Sequence, residues 1–195
     1  MSFIYFSPSN CVRSLSTNSI CNACSQSCPT EAIVMSNRLP SINHSLCVGC
    51  GGCGAVCPTE AITMDNFSGT QFFFSFLNDD DNLISCQKNI PCIAALSDEH
   101  IIGLNGLKNG IEIDIGHCSE CSIGKEILEQ MSLRLESIDY LLSAIESTSF
   151  PKMVNRAYKN HQEDYKDRRD FFKTFHIRGM FKAKEDFEKE VQKYR

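Results

Sequence analysis

The order of apolar and polar positions divides the chain into three stretches. In residues 1 to 66, cysteine-rich loops with a short helical turn each lead into a short apolar segment, Ala32 to Met35 and again Ala61 to Met64. After Gly69 the pattern changes. Thr70 to Leu77, rich in Phe, reads as a strand, Asn78 to Asn82 as an acidic turn, and Leu83 to Ser85 as another apolar strand. Ile90 to Leu96 reads as a short helix, Ile101 to Leu104 as a strand and Ile111 to Ile115 as an alternating strand, with turns at Asn105-Gly106 and Asn109-Gly110. A long amphipathic helix follows, its apolar residues Ile127, Leu128, Met131, Leu135, Ile138, Leu141, Leu142 and Ile145 recurring at three-and-four spacing. Beyond Pro151 the chain is dense in charge with scattered aromatics, a pattern of helical segments without a core of their own. The expected fold is α+β, divided into residues 1–66, a small mixed α/β module over 67–150 and a basic helical extension over 151–195.

The first stretch contains a duplication. Cys28-Pro-Thr-Glu-Ala-Ile-Val-Met returns as Cys57-Pro-Thr-Glu-Ala-Ile-Thr-Met, 29 residues later. Twelve cysteines in 195 residues add a chemical meaning to that repeat. The chain shows neither an 18-residue apolar run nor a secretory leader, so no membrane span and a cytoplasmic location are expected, where thiols stay reduced and ligate metals. Charge is uneven: residues 1–150 hold 6 Lys/Arg against 16 Asp/Glu, and residues 151–195 hold 13 against 8. An acidic body disfavours nucleic acid as a partner, since phosphate contact needs a basic face.

The second repeat reads Cys47-x2-Cys50-x2-Cys53-x3-Cys57-Pro58. Three thiolates at this spacing wrap three corners of one iron-sulfur cube, and the fourth, followed by Pro, is directed at a neighbouring cube. Gly49, Gly51, Gly52 and Gly54 let backbone amides approach the sulfurs. Zinc is the rival, but it favours thiolates in separated pairs. The first repeat keeps Cys21-x2-Cys24-x3-Cys28-Pro29, while Asn18 stands where its leading thiol belongs and Cys11 lies ten positions before Cys21. Two readings stand: Val12 to Ile20 is an inserted loop and Cys11 supplies the fourth corner, or the first cluster is a three-iron or labile form.

Through these motifs residues 1–66 resemble the bacterial dicluster 4Fe-4S ferredoxins. The resemblance implies a pseudo-twofold fold of short strands and helices. It implies that Cys11, Cys21, Cys24 and Cys57 hold one 4Fe-4S cluster, and Cys28, Cys47, Cys50 and Cys53 the other. It further implies relay of single electrons to or from a larger redox enzyme subunit or an electron carrier, with no substrate chemistry of its own. Asn22, Ala23, Ser25, Gln26 and Ser27 replace the glycine-rich surroundings of the second repeat, so unequal reduction potentials are expected.

Four cysteines remain, Cys86-x5-Cys92 and Cys118-x2-Cys121, each pair just after an expected strand and at or before an expected helix. Three readings compete: a third iron-sulfur cluster, a structural zinc, or a redox dithiol. A helix N-terminus near Cys118 would lower its thiol pKa. The arrangement faintly resembles the thioredoxin-like two-iron ferredoxins of NADH-oxidising complexes, with different spacings. In the basic extension Phe171, Phe172 and Phe175 are candidate docking contacts for an acidic partner, and Arg168-Arg169 lies too late in the chain for an export signal. His117 reads as a turn residue, and Asp79-Asp80-Asp81 as a solvated turn without calcium-loop spacing. No phosphate-binding glycine motif and no Ser/His/Asp constellation is present. Besides the electron relay, an accessory protein for assembly of an iron-sulfur or molybdenum enzyme and a small dithiol reductase are the alternatives.

Overall fold

A computed structural model describes residues 4–156, and the candidate docking aromatics of the extension lie outside them. The cysteine repeats are framed by two antiparallel strand pairs. Strand β1 (Ile4–Phe6) pairs with β4 (Ile62–Met64), Ile4 facing Met64 and Phe6 facing Ile62. Strand β2 (Ile33–Ser36) pairs with β3 (Leu39–Ile42), Ile33 facing Ile42. The strand that leaves each repeat therefore pairs with the strand that leads into the other. Only Asn37 and Arg38 separate β2 from β3, both with positive φ (45° and 73°), the backbone that a two-residue hairpin demands.

Between these strands lie three single-turn helices, α1 (Val12–Leu15), α2 (Ala23–Gln26) and α3 (Gly52–Ala55), the last two at equivalent places in the duplication. Ile4, Ile33, Cys53 and Ile62 form a small core, against which Cys24, Cys28 and Cys47 pack. The repeats thus pack their own cysteines where an ordinary domain of this size would place aliphatic side chains.

The second half is built differently. Helix α4 spans Gly69–Leu77, where a strand was expected. Ser68 caps it, its hydroxyl accepting the Gln71 amide at 3.3 Å. Phe72, Phe73 and Phe76 then fall on one face and are buried, each burial contributing roughly 1.5–3 kcal/mol. Helix α5 spans Asp98–Leu107 and replaces both the strand expected at 101–104 and the turn expected at Asn105-Gly106. Ser97 caps it by accepting the His100 amide, Asp98 and Glu99 complement its N-terminal dipole, and Ile101, Leu104 and Asn105 are buried. The helix expected at Ile90 to Leu96 is a single 3-10 turn, Ile93–Ala95.

Strands β5 (Leu83–Ser85), β6 (Glu112–Asp114) and β7 (Lys152–Val154) form a parallel sheet in that order. Strand β7 stands where the extension was expected to begin as helix. Helix α5 lies between β5 and β6 along the chain, and α6 (Gly124–Ala144) lies between β6 and β7. The long helix matches its expected face: Ile127, Met131, Leu135, Ile138 and Leu142 are buried, while Leu141 and Ile145 at its C-terminal end are exposed. The molecule is mixed α and β, with small sheets and several helices. Among the described residues no helix is long and apolar enough to cross a membrane.

Candidate iron-sulfur site

The duplication is visible atom by atom. After Cys28, residues Pro29 to Glu31 turn back so that the Ala32 amide donates to the Cys28 sulfur at 3.2 Å; after Cys57, the Ala61 amide donates to the Cys57 sulfur, also at 3.2 Å. Glu31 and Glu60 sit at the turning point with φ of 52° and 51°. The hydroxyls of Thr30 and Thr59 stand 3.7 and 3.8 Å from the same two sulfurs. In each copy the carbonyl of that alanine is also anchored: Ala32 accepts from the Asn43 amide and Ala61 from the Ser7 amide, both at 2.8 Å. Donors aimed at sulfur are what a thiolate carrying metal requires, because they disperse its charge.

Two cavities lie on either side of this small core. One is lined by Cys11, Cys21, Cys24 and Cys57 together with Phe6 and Ile62. The other is lined by Cys28, Cys47, Cys50 and Cys53 together with Ile4 and Ile33. In each, three cysteines come from one end of the motif and the fourth, the one followed by Pro, from the other repeat. Cys11 reaches the first cavity through the segment that the spacing left in doubt. The 3-10 turn Pro8–Asn10 ends on it, α1 begins after it, and the Arg13 guanidinium donates to the Cys21 carbonyl at 2.8 Å, tying the two ends of the insertion together. Cys11 is buried.

Electrostatics follows the same grouping. Burial raises the Cys24 thiol pKa, and repulsion from Cys57 and Cys21 adds to it, against the Ser25 amide, which lowers it. Cys50 is raised by burial first and then by Cys28 and Cys47, with the Gly52 amide opposing. Cys53 is pushed up to about 12 by burial and by Cys50, Cys28 and Cys47. Such thiols hold their protons at neutral pH until a cation of the site displaces them. The cysteine groups line the two cavities. Apolar walls, amide donors and grouped thiols are chemically suited to iron-sulfur ligation.

The remaining cysteines sit at the edge of the parallel sheet. Cys86 follows β5 directly, Cys92 precedes the 3-10 turn, and Cys118 and Cys121 occupy the loop between β6 and α6. Cys118 departs from the expected lowered pKa. Burial first, then Cys86, Cys121 and Asp114, push it up to about 11, so the one-turn reach of the helix dipole does not set its ionisation. An attacking dithiol needs the opposite shift.

Position-wise, the cysteine loops were legible in the sequence, whereas the amide donors of Ala32 and Ala61 and the role of Arg13 were not. The matching Glu31 and Glu60 positions within the repeat were the available signal for the former. No curated protein and no solved structure matches the chain. Residues 8–68 match the family model of the LdpA Fe-S cluster-binding domain, and this similarity supports an iron-sulfur binding domain in that part of the chain and an iron-sulfur protein.

Proposed function

We propose that the protein relays single electrons through two 4Fe-4S clusters, to or from a larger redox enzyme or an electron carrier. Cys11, Cys21, Cys24 and Cys57 would hold one cluster and Cys28, Cys47, Cys50 and Cys53 the other. The observation that carries the reading is the grouping of the eight thiols about two cavities, each fed by both repeats. A bound cluster of this kind takes up and releases one electron at a time without making or breaking bonds to a substrate.

The chain's part is to hold and tune. Cys28 and Cys57, each ending one repeat and lining the cavity of the other group, lock the two half-units together. Ala32 and Ala61 place an amide on those two sulfurs, which favours the more negative, reduced state. Ile4, Ile33 and Ile62 keep water from the inner faces. The two surroundings differ: Gly51 lines one cavity and Ala23 the other, so the two potentials should be unequal.

The test is anaerobic purification with iron and acid-labile sulfide counts and electron paramagnetic resonance of the reduced full chain. Cys11→Ser and Cys53→Ser should each disturb a different four-iron signal, with loss of up to about four irons apiece. Retention of both signals in Cys11→Ser would remove Cys11 from the set; a zinc-loaded, iron-free chain would overturn the reading.

A further inference from the structure

Strands β5 and β6 run parallel and adjacent, with Ser85 opposite Asp114. The chain therefore leaves both strands at the same edge of the sheet, and both departing loops carry cysteines. A buried hydrogen bond from the Ser85 hydroxyl to Asp114, 2.9 Å long, pins the two exits together. Asp114 also accepts the Gly116 amide at 2.9 Å and the Arg156 amide at 3.2 Å, so its buried carboxylate is occupied in shaping the loop. After β5, the Lys88 and Asn89 amides fold back onto the Ser85 carbonyl, and the Asn89 side chain bonds both the Ser85 amide and the Leu83 carbonyl. That turn carries Cys92 back toward the strand end where Cys86 sits. After β6, successive turns run from Cys118 to Ile115, from Cys121 to Cys118 and from Gly124 to Cys121.

Both loops border the same core. Cys118 belongs to the core of the second half, and Cys92 and Cys121 pack against it. Like-charge repulsion links Cys92 to Cys86 and Cys118, and Cys118 to Cys86 and Cys121. The same repulsion links Cys92 to Cys50 of the N-terminal domain. Backbone contact explains that neighbour: a Cβ on Gly51 would stand 2.9 Å from that of Ala95, and one on Gly52 3.4 Å from that of Ala94. The cysteine loop of the second repeat thus rests directly on the turn that follows Cys92.

We propose that Cys86, Cys92, Cys118 and Cys121 hold a third iron-sulfur cluster, placed beside the Cys28/Cys47/Cys50/Cys53 group and exchanging electrons with it. The inference rests on the two-cluster reading for its neighbour, and the matched iron-sulfur domain, residues 8–68, does not reach these residues. Zinc is the competing occupant of two separated thiol pairs, and a metal count separates it from a cluster. In each exchange one centre loses one electron and the other gains it; no bond forms or breaks, and the redox enzyme or carrier proposed above is the ultimate donor or acceptor.

The experiment counts iron, sulfide and zinc per full-length chain after anaerobic reconstitution, for the wild type and for Cys118→Ser/Cys121→Ser. About ten or twelve irons falling to about eight in the double variant is the expected result, with loss of the spin coupling that a third paramagnet adds to the reduced spectrum. About eight irons in the wild type, unchanged by the substitutions, overturns the third cluster and leaves the two-cluster reading standing. About eight irons with one zinc overturns it as well. Because the wild-type count decides alone, misfolding of the variant does not protect the proposal. Cys86→Ser is the second variant, expected to lose the same irons. The two-cluster reading itself fails separately, if Cys11→Ser and Cys53→Ser leave iron and spectrum unchanged.

Discussion

Glu31 and Glu60 are ordinary exposed side chains held in the left-handed region, and the reason is the sulfur behind them. Only that backbone turns the next amide, of Ala32 or Ala61, onto the sulfur of the cysteine four residues before it. A non-glycine residue there costs of the order of 1 kcal/mol, and a β-branched one more. Glu31→Val should therefore destabilise the protein by about 1–2 kcal/mol and speed bleaching of the visible cluster absorbance, while Glu31→Gly should keep the rate near that of the wild type. Equal bleaching rates in the two variants would detach the turn from sulfur binding. Cys118 teaches a related lesson: a thiol near a helix start is expected to ionise readily, yet burial among other thiols moves it the other way.

At the scale of elements, α4 and α5 mark where local reading failed. Phe72 to Phe74 have the β-propensity of a strand, and the Ser68 cap that starts the helix is a single residue easily passed over. In α5 the Asn105-Gly106 pair looks like a turn. Asn105 instead lies on the buried face and donates to the Ser149 carbonyl at 2.9 Å, a contact no local pattern announces. Glycines separate by role at this scale. At Gly124, the first residue of α6, an added Cβ would overlap the Cys118 carbonyl, whereas at Gly106 it would meet open space. Gly124→Ala should push the cysteine loop off the helix, lowering stability by about 1–3 kcal/mol and releasing the iron assigned to that loop. Gly106→Ala should raise stability by about 0.5–1 kcal/mol. Thermal midpoints and iron counts of the two variants distinguish them, and an unchanged midpoint in Gly124→Ala would count against the close approach.

Across the whole molecule, the two halves are stitched by small contacts. Gln130 of α6 donates to the Ser27 carbonyl at 3.4 Å; within the second half, Arg134 of α6 joins Asp98 at 2.7 Å and the Leu96 carbonyl at 2.5 Å, fixing α5 on α6. Glu60 of the second repeat faces His100 of α5 electrostatically, and His100 also meets Ser97 at 2.8 Å and the Phe73 ring. Burial lowers the His100 pKa from its ordinary 6.5, with Glu99 and Glu60 offsetting only part of the effect. The unfolded chain then binds the proton more readily than the folded one. Stability is unaffected by this group above its unfolded pKa and is lost as pH falls toward and through the lower folded value. Thermal midpoints measured between about pH 7 and about pH 5 should fall more steeply in the wild type than in His100→Gln. Parallel slopes would mean that the ring is solvated.

The sequence by itself determined the chemistry of the first half. Cysteine spacing, the Cys-Pro ends and the duplication depend on a few covalently close residues, so the chain alone carried the thiol groups and their crossing between repeats. The long helix α6 was equally legible, since a sustained three-and-four periodicity needs no partner to be read. Tertiary structure decided the rest. It drew Cys11 to its cavity across a nine-residue insertion, turned the Phe-rich segment into a helix by offering its face a core, and made the sheet parallel by placing α5 and α6 between its strands in the chain. It also brought Cys86, Cys92, Cys118 and Cys121 to one sheet edge beside Cys50. Those are contacts between residues far apart in the chain, whose free energy comes from burial that local sequence does not encode.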